Sequence, residues 1–421
     1  MAKSTQQRSI FVYADWIGLE QPTLMGILHS TQVRGKEVFS FEYADAWLQS
    51  ENVQALDPDL QLYTGPQYLG EAKHNFGIFL DSSPDRWGRM LMDRREAILA
   101  RAEGRKAQTL FETDYLLGVF DEHRMGALRF KEDESGDFLN NNREVASPPW
   151  TSLRELEEAS LRLEDDDVDD TLKAKWINML MAPGSSLGGA RPKASIVDKK
   201  GQLWIAKFPS RNDTKDKGAW EKVVHELAMN AGIRVADAMI GQYYNKQHTF
   251  LIKRFDRNEK GARTHFASAM TLLGLTDGTN FQSGVSYLSL AEFIMQHGAQ
   301  PNDDLEELWR RIVFHISVSN TDDHLRNHGF LFTPAGWILS PAYDINPEET
   351  GTGLSLNINE VDNSLDLDLA LSVGPYFRVS EKRAFQILEK VKKSVGEWSK
   401  VAERIGISKS ERDTMSNAFR Y

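Results

Sequence analysis

Asn320-Thr321-Asp322-Asp323-His324-Leu325-Arg326-Asn327 and, a little further on, Ser340-Pro341-Ala342-Tyr343-Asp344 are the stretches on which the reading of this chain turns. The first follows residues 303–318, DDLEELWRRIVFHISV, where Leu305, Leu308, Ile312, Val313 and Ile316 share one helical face. A buried, rigid support therefore ends where an acidic loop begins. Residues 328–340, between the two stretches, read as strands around the turn Pro334-Ala335-Gly336. A hairpin between two acidic loops brings Asp322, Asn327 and Asp344 to one end. A metal–phosphate site requires such a set: Mg²⁺ takes hard oxygen ligands, and a second carboxylate can orient an attacking hydroxyl. Two plainer readings compete, in which Asp322, Asp323, His324 and His328 are loop residues or the ligands of a hydrolytic metal site. A Ser-His-Asp hydrolase is disfavoured because no G-x-S-x-G elbow occurs.

Upstream, Gly184-Ser185-Ser186-Leu187-Gly188-Gly189-Ala190-Arg191-Pro192-Lys193 leads straight into a strand. Such a run lets backbone N–H groups close on an anion, although the Walker A spacing is absent and a plain turn is the simpler reading. Residues 193–208 read as two strands around Lys199-Lys200-Gly201, and Lys207 stands near the end of the second between Ala206 and Phe208. A helix is expected at 219–232, ending at Gly232, and it offers Glu221 or Glu226 as an ion-pair partner for Lys207. A strand lysine held by a helix glutamate orients nucleotide phosphates in kinases; an exposed surface lysine is the bland alternative. Another strand is expected at 248–255.

The first part of the chain alternates apolar and polar residues at 9–16 and 37–47, with Arg34-Gly35-Lys36 as the intervening turn. A helix from 84 to 102 is expected, with Ser83 as its cap and Pro84 in its first position. Residues 134–150 read as a linker, 152–163 as a helix, and 164–170 as a solvated acidic run. The fold class is α+β, strand-rich first and helix-rich later. The chain has 421 residues, 50 Lys+Arg against 61 Asp+Glu for a net charge of −11, and no Cys. That balance disfavours a whole-surface nucleic-acid binder, and the missing Cys removes disulfides, thiolate nucleophiles and Cys-zinc sites. No signal-peptide pattern and no membrane-length apolar run occurs, so a cytoplasmic protein without membrane contact is expected.

The order of these parts is that of a protein kinase, without H-R-D or D-F-G. The wording resembles the HipA family of bacterial toxin–antitoxin serine/threonine kinases over most of the chain, most strongly from Gly184 to Asp344. The resemblance rests on Ser-Leu-Gly-Gly-Ala-Arg-Pro-Lys (186–193), Lys-Phe-Pro (207–209), Arg-Phe-Asp-Arg (254–257), Asn-Thr-Asp-Asp-His-Leu-Arg-Asn (320–327) and Pro-Ala-Tyr-Asp (341–344). It implies a two-lobed kinase-like fold: a β-rich subdomain over 1–105, a nucleotide-binding N-lobe over 106–253 and a helical C-lobe over 254–421. ATP and Mg²⁺ are the implied cofactors. Asp322 would be the catalytic base, His324 a support of its loop, and Asn327 and Asp344 the metal ligands. Lys207 would meet the ATP phosphates, as would the loop with Ser185, Ser186, Gly188 and Gly189. Phe255 and the Lys253 backbone would line the adenine hinge, with Asp256 near the ribose and Tyr343 packed by the nucleotide. Ser186 falls where family members autophosphorylate and silence themselves, with Ser185 as its neighbouring alternative.

The resemblance further implies a helix-turn-helix antitoxin of the HipB type, operator DNA contacted mainly through that antitoxin, and a protein substrate such as an aminoacyl-tRNA synthetase. A small-molecule kinase on the same core, or an inactive scaffold that co-represses transcription, are the rival readings. Asp323 and Lys253 stand where some members carry Gly and Glu. A backbone hinge tolerates the second change, and the role of the Asp323 carboxylate is open.

Overall fold

The computed structural model describes residues 7–51, 53–70, 73–143, 146–163, 170–181 and 191–421. The chain divides into two units, Met1–Ala206 with Asp256–Ala267, and Lys207–Phe255 with Ser268–Tyr421. Helices and strands both contribute, as the expected α+β class requires. No helix among the described residues is long and apolar enough to cross a membrane.

In the first unit β1 (Gln7–Ala14), β2 (Thr23–Val33), β3 (Lys36–Tyr43), β4 (Gln67–Tyr68) and β5 (Leu128–Lys131) form one antiparallel sheet in the order β4-β3-β2-β1-β5. The alternation seen in the sequence is the alternation of faces: Ile10, Val12 and Ala14 on β1 and Phe39, Phe41 and Tyr43 on β3 are buried. Arg34 and Gly35, with φ of 50° and 80°, make the two-residue turn whose positive φ values match the twist of a hairpin. β2 itself was not apparent in the sequence. Its pattern is broken by Gly26, where a Cβ would meet Glu42 O at 2.3 Å, and by Ser30, buried against Glu37 at 2.7 Å.

The short helices α1 (Asp45–Leu48) and α2 (Gly77–Asp81) follow, and Phe76 and Phe79 pack with Phe41 and Phe130 into an aromatic core. The helix expected from 84 begins later, as α3 (Arg86–Ala102). Its cap is Asp85, which accepts from Gly88 N at 2.9 Å, whereas Ser83 donates to Phe79 O at 2.8 Å and closes α2. α4 (Glu112–Gly118), α5 (Leu153–Arg162), α6 (Asp170–Leu180), β6 (Lys193–Val197) and β7 (Leu203–Lys207) complete this part of the chain. β6 and β7 are hydrogen-bonded neighbours, as the turn at 199–201 suggested. Residues 164–169 of the acidic run lie outside the described residues.

In the second unit α7 (Lys217–Ala231) ends at Gly232, whose φ of 86° is the left-handed cap expected there. β8 (Ala238–Gly241) pairs antiparallel with β9 (Thr249–Lys253), and β10 (Phe266–Ser268), where the chain passes from the first unit back into the second, leads into α8 (Ala269–Leu272) and α9 (Tyr287–His297). α10 (Pro301–Ser317) carries the stripe Leu305, Leu308, Ile312, Val313 and Ile316, all fully buried. The hairpin β11 (Gly329–Thr333) and β12 (Gly336–Leu339) turns where Pro334-Ala335-Gly336 placed it. α11 (Leu367–Val373), α12 (Glu381–Val395), α13 (Trp398–Ile405) and α14 (Lys409–Met415) finish the unit.

Candidate active site

β7 delivers Lys207 to a buried position beside two carboxylates. Its Nζ donates to Glu221 Oε1 at 2.5 Å and to Asp344 Oδ1 at 2.7 Å. Burial pulls the ammonium pKa down, but the charges of Asp344 and Glu221 outweigh it and hold the pKa above its usual value. The open choice of helix partner is therefore resolved: Glu221 pairs with Lys207, while Glu226 pairs with Lys222 and Arg404 on the same helix's other side. Asn346 Nδ2 donates to Asp344 Oδ1 at 3.3 Å, a contact no sequence pattern had marked. Asp344 sits at a φ of 57°, a left-handed conformation rare for a residue with a Cβ.

The loop after α10 is fastened from several sides. Asn327 Nδ2 donates to Asp322 O at 2.9 Å, His324 N donates to the same carbonyl at 2.9 Å, and Asn327 N donates to His324 O at 2.8 Å. Tyr343 Oη donates to Arg326 O at 2.6 Å, which ties the segment carrying Asp344 to this loop. Asn320 Oδ1 accepts from Asn346 N at 3.2 Å, a second tie between the same two segments. Asp322 reaches solvent. Partial burial pushes its carboxyl above the usual carboxylate range, with His324 opposing and Asp344 and Asp323 adding to the rise. Asp322 and Asp344 thus feel each other's charge.

Asn327 Oδ1 is a buried acceptor with no hydrogen-bond partner among the described residues. Together with the Asp344 carboxylate, 24% exposed, it supplies the hard oxygens that suit Mg²⁺, an ion that keeps waters and binds substrate phosphates for its remaining positions. Among the described residues no three His, Cys, Asp or Glu side chains gather as a metal cluster.

Asp323 faces away from this set. Its Oδ2 accepts from His315 Nδ1 at 2.6 Å, from His328 Nε2 at 2.9 Å and from Tyr287 Oη. It is 1% exposed, and although burial raises a carboxyl pKa, His315 and His328 hold this one well below the usual range. The carboxylate left open in the sequence is a buried anchor joining α9, α10 and the entry to β11. Asp323→Ala strands three buried donors and is expected to lower stability by about 3–5 kcal/mol, read as a fall in the urea midpoint at unchanged slope. The carboxylate's contribution is complete above the ordinary carboxylate pKa and fades as the pH falls towards the depressed folded value. A midpoint within error of wild type at neutral pH would contradict the anchor role.

Phe255 and Tyr343 stand together, ring centres 5.7 Å apart. Lys253 ends β9 with its N–H donated to Asp237 O at 2.8 Å. Asp256 departs from expectation. It is 0% exposed, accepting from Gly126 N at 2.8 Å and from Arg257 Nη1 at 2.7 Å within the first unit. A carboxylate with no solvent-facing surface has none to offer a ribose, so that expected role is withdrawn. Ser185, Ser186, Gly188 and Gly189 lie outside the described residues. Lys193, at the end of their motif, is buried and paired with Asp85 at 2.8 Å. Its alternation within a strand gave no sign of that role.

Comparison with known proteins agrees with this architecture. The HipA-like C-terminal domain family matches residues 185–399, about half of the chain, and the chain belongs to that family. A candidate kinase of Haemophilus influenzae is 25% identical over 178 residues, 38% of this chain and 52% of that protein. A candidate kinase of Sinorhizobium fredii is 24% identical over 337 residues, 75% of this chain and 73% of that protein. The first of these alignments spans about half the length of the relative it matches. Among solved structures, HipA in the Shewanella oneidensis MR-1 complex of HipA, HipB and operator DNA superposes with a TM-score of 0.62. It is 18% identical, covering 97% of this chain and 94% of that one, and the two share a fold.

Proposed function

We propose that this protein is a cytoplasmic ATP- and Mg²⁺-dependent serine/threonine protein kinase and the toxin of a toxin–antitoxin pair. The observation that carries the reading is Lys207 bonded at once to Glu221 and Asp344, with Asp322 and the buried Asn327 Oδ1, which has no partner among the described residues, on the adjoining loop. Phosphoryl transfer asks little covalent chemistry of a protein; positioning and charge neutralisation supply most of the rate. Lys207 orients the nucleotide phosphates, and Glu221 keeps its ammonium in place. Asp322 accepts the proton of the substrate hydroxyl. Asn327 and Asp344 would hold Mg²⁺, which when bound neutralises charge on the β- and γ-phosphates. Phe255 and Tyr343 flank the base, with the Lys253 backbone at the hinge.

The same reading divides the chain into a β-rich subdomain (1–105), a nucleotide-binding lobe (106–253) and a helical lobe (254–421). Phosphorylation of Ser186, or of Ser185 beside it, would add about −1.5 to −2 charge to the phosphate-binding loop and silence the enzyme. The proposed partner is a helix-turn-helix antitoxin of the HipB type, through which operator DNA is contacted. The proposed substrate is a component of translation such as an aminoacyl-tRNA synthetase.

The test is transfer from γ-labelled ATP, with and without Mg²⁺, to the chain itself, to a panel of aminoacyl-tRNA synthetases and to free amino-alcohol metabolites. Label on protein seryl or threonyl groups, dependent on Mg²⁺, is expected. Label on metabolites alone would move the assignment to a small-molecule kinase, and no label anywhere to a scaffold. A base with a raised pKa also fixes the sign of the pH profile. Transfer should fall on the acid side with a limb above the ordinary Asp value of about 4, because Asp322 must be ionised to accept a proton. A limb at or below that value in kcat/KM would contradict the role.

A further inference from the structure

Residues 398–420 belong to none of the motifs above, yet they touch both halves of the transfer site within the second unit. Trp220, the residue before Glu221 on α7, is 2% exposed and lies against Trp398 and Phe419, ring centres 6.2 and 6.0 Å away. Trp398 and Phe419 stack on each other at 4.5 Å and 5°. Glu411 Oε1 accepts from Trp220 Nε1 at 2.8 Å and from Asp216 N, at the cap of α7, at 2.9 Å. One residue beyond Phe419, Arg420 turns to the other half. Its N–H donates to Ser317 O at 2.7 Å, and its Nε donates to Ser319 Oγ at 3.1 Å.

Ser319 is the point where α10 gives way to the loop of Asp322. It is fully buried and held at a φ of 49°, a left-handed conformation that costs energy for a side-chain-bearing residue. Its carbonyl accepts from Glu348 N at 3.2 Å and Thr321 N at 2.9 Å, so the turn also orders the segment after Asp344. Without Arg420 the Ser319 hydroxyl loses the donor that faces it from outside the loop.

We propose that residues 411–420 are a positioning strap: they fix the Glu221-bearing helix through Trp220 and the Asp322-bearing loop through Ser319, with Arg420 as the positioning residue of the loop. The inference rests on the kinase reading. The strap touches neither Asp322 nor Lys207, so its loss alters how often the two are correctly placed rather than whether ATP binds.

The test uses the full chain with Arg420→Ala, Ser319→Ala and the double variant, reading kcat and KM for ATP separately. Each single variant is expected to lower kcat about tenfold with KM within about twofold, since small displacements of a catalytic group cost rate steeply. The double variant should be no slower than the worse single, because both remove the same contact. Arg420→Lys, which keeps an N–H donor, should recover most of kcat, and it decides the matter if Arg420→Ala does not fold. Wild-type kcat in Arg420→Ala, losses that multiply in the double variant, or no recovery in Arg420→Lys would each overturn the strap. Amide exchange without nucleotide separates this from the activity assignment. Phe419→Ala should speed exchange both at 217–223 and at 318–323 if the strap is real, even should the wild type prove inactive; unchanged exchange at 318–323 would overturn it.

Discussion

Asp322→Asn is expected to lose about 10²–10⁴-fold in transfer rate while still binding ATP, the range that a general base contributes. The substitution is nearly isosteric, and Asp322 is solvent-reachable with its backbone carbonyl, not its carboxylate, tying the loop together through Asn327 and His324. The loop therefore keeps its shape and loses only the proton acceptor. Rate measured under single-turnover conditions, beside ATP affinity from a fluorescent analogue, separates the two effects. A rate within tenfold of wild type would remove Asp322 from the chemistry and leave it as one of several acidic groups in the loop.

Lys207→Met is expected to fail in a different way. Lys207 is 9% exposed and pairs with both Glu221 and Asp344, so removing it takes a buried cation away from two carboxylates. The loss of the phosphate-orienting charge should cost about 10²–10³-fold in transfer. Breaking the two ion pairs of this buried ammonium should also cost about 3–5 kcal/mol of stability, as breaking buried ion pairs does. A urea titration checks the second figure and the transfer assay the first. Glu221→Gln/Lys207→Met together should be less destabilised than Lys207→Met alone, because the double variant also removes one of the two negative charges that Lys207 offsets. Equal stability of the two would show that the pair is not the source of the loss.

Where the sequence spoke clearly, it did so through periodicity and turn chemistry. The buried stripe of α10, the Gly232 cap of α7 and the hairpin around Pro334-Ala335-Gly336 were each specified by local pattern, and local pattern survives folding. From these alone Asp322, Asn327 and Asp344 fall at the ends of adjoining segments. The pairing of Lys207 with Glu221 rather than Glu226 was not legible, because both glutamates lie on one helix and only the rotation of that helix about its own axis selects between them. β2 was hidden by Gly26 and the buried Ser30, which interrupt the alternation for reasons of packing. Asp85 displaced Ser83 as the α3 cap because Ser83 was already bonded to the turn before it.

Charge was the hardest quantity to place. Asp256 was expected near the ribose and the role of Asp323 was left open, yet each is buried on its own donors: His315, His328 and Tyr287 for Asp323, Gly126 and Arg257 for Asp256. A sequence shows that a carboxylate is present and not which way it points. Their donors lie up to 130 residues away along the chain, and no local spacing announces them.

Mass spectrometry of the purified protein after incubation with Mg²⁺-ATP, beside Asp322→Ala treated identically, shows whether the chain transfers phosphate to itself. Added phosphate on Ser186, or on Ser185 beside it, is expected in the wild type and none in the variant. Phosphate on both proteins, or on neither when the wild type was free of it at the start, would contradict the claim that this site transfers a phosphoryl group.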